Sequence, residues 1–531
     1  MKLHIFLIFL LTVLLSAEGI EFSGSSSFFG QICSEEKEWS EIPSEYWRWR
    51  LNPLLRIQGI PIAADLFLSS EESAQRQNLN RVYISSAPSS GSGDNSILSW
   101  ISSIGLGTTT QYFTPFTLNG ATISGFNIEL EPGAFYLTAA VGRANRAIEP
   151  QDDDPGTYKR DIYAIMTGVG SPSDSHMHLC FLRGLDKDGS ISEDSTFRIT
   201  PAENWVGSLD FGSVLLNGKF RLEGEVAGSM FTRDVRSPGI ESNMIPNWLL
   251  EYSGANISSA FGWALDLASS FQFSDNIIRV SFRRIDPGFQ SMGAPFLRND
   301  EIVFEARADR YFMNRQLFTG LWYRRNNDNL LSTKSFTNTG NAIGIRSGCA
   351  FRGYPRVTIS YAPSSTVMED SASSWTETSL LSVSASYTRG ISGIDFTSML
   401  SVALHDNSAG SGSGNYSSTN IVLRETVSLP SPVTFSGCFS CRRTRSGADT
   451  NWKYLTDLRG TWYPSYNLSV TLGGNYATGA GERKIGLIIG GGVPISDELV
   501  ANLRGEYTMY SSTIEKDYNN MTAGAGITYI W

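Results

Sequence analysis

The feature that most constrains this sequence is a long series of short segments in which apolar and polar residues alternate with a period of two. Residues 499–510 show the pattern clearly. Successive side chains of a β-strand point to opposite faces, so each such segment predicts a strand with one apolar and one polar face. In this segment the apolar face consists of Leu499, Ala501, Leu503, Gly505, Tyr507 and Met509. From residue 119 onward, segments of this kind follow one another to the end of the chain.

The connections between these segments are alternately short and long. The short ones carry the residues typical of tight turns, and they are residues 131–133, 171–176, 216–219, 273–276, 313–316, 352–355, 389–393, 429–433, 463–466 and 493–498. The longer ones are mostly polar, and they include residues 236–260, 286–299, 326–341, 364–376 and 406–416. This rhythm predicts about twenty-one antiparallel strands between residues 119 and 531, with every short turn at one end of the sheet.

Composition narrows the class of protein. After the first twenty positions no apolar run reaches eighteen residues, which argues against membrane-spanning helices. Hydrophobic residues make up 41% and aromatic residues 12% of the chain, and both a soluble β-protein and a membrane barrel fit these values. The formal net charge is −10 with no basic cluster, so we expect no nucleic-acid partner.

Charged residues occur inside several predicted strands and oppose the apolar face. Burying Arg504 in lipid near the midplane would cost about 2–4 kcal/mol, and burying Glu506 somewhat less, so these side chains should face a wet lumen. The full set of candidate lumen residues is Arg221, Glu223, Glu225, Arg279, Arg283, Glu305, Arg307, Asp457, Arg459, Arg504 and Glu506. Two interpretations remain open: a field that orients solutes, or ladders of opposite charges that satisfy one another.

The last thirteen residues, 519–531, alternate in the same way and end on an aromatic ring. With Gly526, Tyr529 and Trp531, this ending resembles the carboxy-terminal signal by which Gram-negative outer-membrane β-barrels are recognised for insertion. The resemblance implies an outer-membrane location, contact with lipid and with the barrel-insertion machinery, and a last strand that ends in the periplasm. The short turns would then be periplasmic and the long connections would be outer loops.

The amino-terminal region divides into two parts. Residues 1–19 have the basic residue, the apolar core and the small residues of a secretory signal peptide. Residues 20–110 fit either the first barrel strands or a segment that plugs the lumen or lies beneath it. One, three or five upstream strands would complete an even-numbered barrel of about 22, 24 or 26 strands. The predicted fold is therefore all-β: a large antiparallel transmembrane β-barrel over residues 111–531, with a possible amino-terminal plug or periplasmic segment.

Few residues suggest other chemistry. His176, His178 and Cys180 project to one face of a strand, but no fourth ligand accompanies them. Cys438 and Cys441 project to opposite faces. We therefore expect no metal site, no cofactor and, in the absence of a nucleophile elbow, no catalytic site.

The function that the pattern favours is a porin-like channel or transporter for polar solutes, through a lumen lined by mixed charges. Two alternatives remain: a surface-exposed structural or adhesion barrel, and a component of a secretion or assembly machine. The solute or protein partner is not specified by the sequence.

Overall fold

A computed structural model describes residues 20–34, 44–71, 80–90, 97–150, 155–192, 199–240, 254–369, 374–410, 414–447, 449–465, 468–513 and 517–531. These residues form one antiparallel sheet of 26 strands. The first strand pairs with the last, Ser25 opposite Ile530 and Cys33 opposite Thr522, so the sheet closes into a barrel. The predicted signal peptide lies outside the described residues.

The strands follow one another around the barrel in chain order. They are β1 (Ile20–Cys33), β2 (Glu45–Ile57), β3 (Ile60–Ser69), β4 (Arg81–Ser86), β5 (Ile101–Tyr112), β6 (Asn119–Leu130), β7 (Phe135–Asn145), β8 (Arg160–Val169), β9 (His176–Asp186), β10 (Glu203–Leu215), β11 (Phe220–Thr232), β12 (Ser259–Phe273), β13 (Asn276–Ile285), β14 (Glu301–Phe312), β15 (Leu317–Asp328), β16 (Thr337–Cys349), β17 (Arg356–Glu369), β18 (Ser374–Ile391), β19 (Ile394–Ala409), β20 (Tyr416–Ser428), β21 (Val433–Ser446), β22 (Asp449–Ser465), β23 (Leu468–Gly479), β24 (Glu482–Pro494), β25 (Leu499–Ser512) and β26 (Tyr518–Ile530).

Two short 3₁₀ turns, Pro88–Ser90 and Ile97–Trp100, lie in the connection between β4 and β5. No helix among the described residues is long and apolar enough to cross a membrane.

The predicted all-β barrel is confirmed, and its strand number is the largest of the three that the sequence allowed. The 21 strands from β6 to β26 match the predicted count, and β1–β5 supply five more. Residues 20–33, 45–57 and 60–69 therefore lie in the barrel wall, and no described residue between 20 and 112 forms a plug.

The two ends of the barrel differ as the connections predicted. Apart from residues 87–100, every connection from an even-numbered to an odd-numbered strand is short, and we call this the short-turn end. At residues 392–393, for example, Ser392 and Gly393 have φ values of 52° and 82°, which is the geometry of a type I′ hairpin turn. The opposite end, which we call the loop end, carries the longest connection, residues 233–258.

Several strands extend further than the sequence predicted. The expected long connections at residues 326–341, 364–376 and 406–416 shrink to residues 329–336, 370–373 and 410–415, and the expected turn at 463–466 gives way to strand as far as Ser465. These strand ends are rich in Ser, Thr and Asn, for example Asn407, whose Oδ1 accepts a hydrogen bond from the Thr378 hydroxyl at 3.2 Å. Backbone hydrogen bonds between strands do not require apolar side chains, so a polar segment can also be a strand. The polar composition of these ends therefore led to their prediction as connections.

The outer surface of the barrel is apolar. Exposed large side chains alternate along the strands with residues that point inward, among them Leu179, Phe181, Leu321, Leu472, Leu487, Leu503 and Ile527. Near the closing seam, Gly24 exchanges two backbone hydrogen bonds with Trp531. A Cβ at Gly24 would collide with the Trp531 ring and the backbone of Asn52, so this close approach requires glycine.

Candidate functional site: the barrel interior

The inner face of the barrel has two sectors that differ in burial. We call the inner face of β6–β13 the covered sector, because its side chains form the main buried apolar cluster. We call the inner face of β14–β26 and β1–β5 the open sector, where charged side chains such as Arg504, with 69% of its side chain exposed, and Arg307, with 50%, are in contact with solvent. The interior is therefore filled on one side and wet on the other.

Two connections from the loop end fold into the barrel and pack against the covered sector. The first inner loop is residues 113–118, and the second inner loop is residues 286–299. Phe116 from the first and Phe289 from the second are fully buried, and their rings meet edge to face at 5.7 Å. Each loop carries a fully buried aromatic ring, and burial of these rings supplies the driving force for folding inward.

The two loops are also hydrogen-bonded to each other. Ser291 Oγ donates to the carbonyl of Thr117 at 2.7 Å, and the amide of Asn119 donates to the carbonyl of Gly293 at 2.7 Å. A Cβ at Gly293 would collide with Leu182 on β9 and with the first loop. The backbone of the second loop therefore packs directly against the first loop and the barrel wall at this point. The pair of loops thus forms one packed unit.

Glu225 on β11 holds the first inner loop. Glu225 is 2% exposed; its Oε1 accepts a hydrogen bond from Thr114 Oγ1 at 2.5 Å, and its Oε2 accepts one from the Phe116 amide at 3.2 Å. Below the same loop, Thr117 Oγ1 lies 3.1 Å from the Sγ of Cys180, which is fully buried. A buried acceptor aimed at loop donors fixes the loop against the wall.

Asn204 on β10 plays the same role for the second inner loop. Its Nδ2 donates to the carbonyl of Gln290 at 3.0 Å, and its Oδ1 accepts from the amide of Met292 at 2.9 Å. Asn204 is fully buried, so these bonds are shielded from water.

An ion pair ties the end of the second loop to the next connection at the loop end. Asp300 is 2% exposed, with its Oδ2 2.5 Å from Lys334 Nζ and its Oδ1 accepting from the Leu330 amide at 2.8 Å. Burial works to raise the pKa of the Asp300 carboxyl, but the bonds from Lys334 and Leu330 outweigh it, and the pKa lies below its ordinary value of 3.8. The same hydrogen bond raises the pKa of Lys334.

The structure places all eleven candidate lumen residues on the inner face, by their register with the neighbouring strands. Ten of them have an opposite charge within 4.0 Å. The pairs are Arg221–Glu223, Arg279–Asp309, Arg283–Asp266, Arg307–Asp309, Glu305–Arg324, Asp457–Arg459 and Arg504–Glu506. Among the described residues, Glu225 is the one member of this set without a cationic side chain within 4.0 Å. Its carboxylate accepts hydrogen bonds from the first inner loop instead.

The sequence pattern did not predict the inner loops. Residues 286–299 were expected as an outer connection, yet they fold inward and pack against the covered sector. Their apolar residues, among them Phe289, Met292 and Ala294, are the signal that could have indicated burial. Packing separates Cys180 from the two histidines, although all three side chains lie on the same face of β9. Cys180 lies beneath the first loop, whereas His178 stands opposite Asp210 on β10.

The similarity of this chain to known proteins is low. No family model matches the chain. No curated protein matches it either. Among solved structures, the Pseudomonas aeruginosa outer membrane protein OpdK is 10% identical and covers 68% of this chain and 100% of its own, with a TM-score of 0.31. OccAB4 of Acinetobacter baumannii is 11% identical and covers 71% of this chain and 99% of its own, with a TM-score of 0.30.

A chain of the E. coli P pilus tip assembly intermediate PapC-PapD-PapK-PapG is 11% identical and covers 96% of this chain and 60% of its own, with a TM-score of 0.47. These scores are low, and the assignment of the class therefore rests on the barrel itself. A closed antiparallel barrel with an apolar outer surface and a partly wet interior is an outer-membrane β-barrel protein. In this class the short-turn end is periplasmic and the loop end is outside. Recognition of Gly526, Tyr529 and Trp531 by the insertion machinery stays a prediction; Gly526 faces inward, and the two rings face outward and stack at 5.4 Å.

Proposed function

We propose that this protein is a porin-like channel, through which small polar solutes cross the outer membrane along the open sector. The observation that carries the proposal is the contrast between the two sectors. The covered sector is packed by the inner loops, whereas the open sector presents solvent-exposed charged side chains from Arg307 round to Arg50. A ring of 26 strands spaced about 4.8 Å apart and tilted by about 40° has a backbone diameter of about 50 Å. That width leaves room for an aqueous path beside the two loops.

The open sector also supports a preference for anions, although the whole chain is acidic. Arg424, Arg442 and Lys484 share the inner face with Asp457, as their register shows. Within the part of the chain that the structure describes, no carboxylate lies within 4.0 Å of any of these three cations. Exposed cations without a bound counter-charge attract anions from solution and lower their entry barrier.

Planar bilayers test both parts of the proposal. The purified protein should give steady conductance and, in a KCl gradient, a reversal potential on the anion-selective side. The double variant Arg424→Gln, Arg442→Gln should move the reversal potential toward cation selectivity. Arg443→Gln is the matched control, because Arg443 follows Arg442 on β21, points outward and lies 5.6 Å from the Trp452 ring.

Two results would contradict the proposal. A protein with the heat-modifiable migration of a folded barrel that conducts no current would exclude a channel. If such a protein bound a partner, and shortening the outer loops abolished that binding, the adhesion alternative would replace the channel proposal. An equal shift in the Arg443→Gln control would remove the anion preference while leaving the channel in place.

A further inference from the structure

Three metal-binding side chains meet on the inner face at the short-turn end of β9 and β10. His176 Nε2 lies 3.0 Å from Asp210 Oδ2, and His178 Nδ1 lies 3.6 Å from the same oxygen. The three ligand atoms are all within 4.8 Å of one another. The two rings stack at 4.7 Å, and His178 is fully buried.

The hydrogen bonds of the histidines fix which nitrogen of each ring carries a proton. His178 Nε2 lies 2.8 Å from the carbonyl of Gly170, and His176 Nδ1 lies 2.8 Å from the carbonyl of Asp174. A carbonyl oxygen only accepts, so both of these nitrogens donate. The remaining nitrogens, Nδ1 of His178 and Nε2 of His176, therefore point toward Asp210.

His178 Nδ1 is the unusual atom of this group. It is buried, and no hydrogen-bond donor or acceptor among the described residues pairs with it. A buried imidazole nitrogen without a partner is costly, because it has lost its bond to water without a replacement. A cation placed between this nitrogen, His176 Nε2 and Asp210 Oδ2 would satisfy all three atoms at once.

We propose that His176, His178 and Asp210 bind a divalent transition-metal ion, for which Zn²⁺ is the natural candidate. Ligands at about 2.0–2.1 Å in a tetrahedral arrangement lie about 3.3 Å from one another, close to the two distances to Asp210. Histidine ligands of zinc donate their other N–H to a backbone carbonyl or carboxylate, as both do here. Asp210 is 22% exposed, so water can reach its carboxylate and could supply a fourth ligand.

The strands on either side make room for this arrangement. Gly168 on β8 lies beside the His178 ring and Gly212 on β10 beside the His176 ring, and a Cβ at either position would meet that ring. The Tyr136 ring, 5.0 Å from His178, closes the site toward β7. The donor set differs from the His176, His178 and Cys180 set that the sequence suggested, because Cys180 is held beneath the first inner loop. The proposal also departs from the sequence expectation that the chain has no metal site.

Metal content of the folded protein tests the site. The full chain, purified in detergent with a tag free of histidine, is stripped with a chelator, exposed to buffered Zn²⁺ and passed through gel filtration. We expect one Zn²⁺ per chain, measured by elemental analysis. His178→Gln and Asp210→Asn should weaken binding at least about 100-fold, since loss of a mere outer-shell partner already costs about 10- to 100-fold. Cys180→Ser and His405→Gln, outside the site, should bind as the wild type does.

Replacement of Zn²⁺ by Co²⁺ allows the site of the wild-type chain to be tested by visible absorption spectroscopy. Co²⁺ in the site should give the visible absorption of a four- or five-coordinate ion without a thiolate charge-transfer band. Zinc binding that is substoichiometric, equal in Asp210→Asn, or lost in Cys180→Ser would overturn the assignment, and so would a thiolate band. If His178→Gln fails to migrate as a folded barrel, His176→Gln and the cobalt spectrum decide. None of these measurements depends on conductance, so the site stands or falls independently of the channel.

Discussion

Removing the Glu225 carboxylate should release the first inner loop from the wall. Glu225→Ala deletes the hydrogen bonds to Thr114 Oγ1 and the Phe116 amide. At about 1.5 kcal/mol for each bond to a carboxylate, the docked state loses about 3 kcal/mol relative to the released state. Because about 1.4 kcal/mol is a factor of ten, the released fraction should rise by about 100-fold.

Cys180 is a built-in reporter of this release. Its thiol is fully buried beneath Thr117, and the other four cysteines, none of which forms a disulfide among the described residues, can be replaced by serine. In that background a small, membrane-impermeant thiol reagent should label Cys180 slowly in the parent and about 100-fold faster in Glu225→Ala, in proportion to the released fraction. Single-channel records should show added flicker, because the released loop moves in the aqueous path.

The matched control is Glu223→Ala. Glu223 is two residues away on the same strand and face, but its carboxylate is half exposed and pairs with Arg221 at 2.8 Å. It should leave the labelling rate unchanged. If Glu225→Ala labels at the parent rate, or if Glu223→Ala labels equally fast, Glu225 does not hold the loop.

Three further outcomes are expected. Phe289→Ala, at a fully buried ring, should cost the docked loops about 3–5 kcal/mol and accelerate Cys180 labelling, whereas Phe296→Ala in the same loop, where the ring is 87% exposed, should not. Because the pKa of Asp300 is lowered, the stability that its ionised carboxylate gives to the loop end is complete above the ordinary pKa of 3.8 and is lost as the pH falls below it. Hydrogen exchange at the Leu330 amide should therefore rise in that range, and Asp300→Asn should remove this pH dependence. Exchange that does not change with pH in the parent would contradict this role of Asp300. Leu503→Arg, on the lipid face of β25, should cost about 2–4 kcal/mol in unfolding experiments in lipid, while the adjacent Asn502→Arg, on the inner face, should cost little; equal costs would contradict the assignment of faces.

The wall of the barrel was open to prediction from sequence because each strand repeats one local rule. Successive side chains point to opposite faces of a strand, and burying a charge such as that of Arg504 in lipid is too costly. The sequence therefore predicts which face of each strand contacts lipid and which faces the lumen. The turn residues then predicted the number of strands after residue 119. The choice among 22, 24 and 26 strands stayed open because residues 20–110 alternate less regularly.

The interior depended on contacts between residues far apart in the chain, which no local pattern encodes. Glu225 looked like any other lumen charge, and only the folding of residues 113–118 against it made it a buried acceptor for loop donors. In the same way, the strand pattern alone placed His176, His178 and Cys180 on one face, but the pairing of β9 with β10 brought Asp210 beside the histidines, and the first inner loop covered Cys180. The sequence by itself therefore determined the barrel, because its rule is local, and the tertiary structure decided the interior, because there packing and register bring distant side chains together.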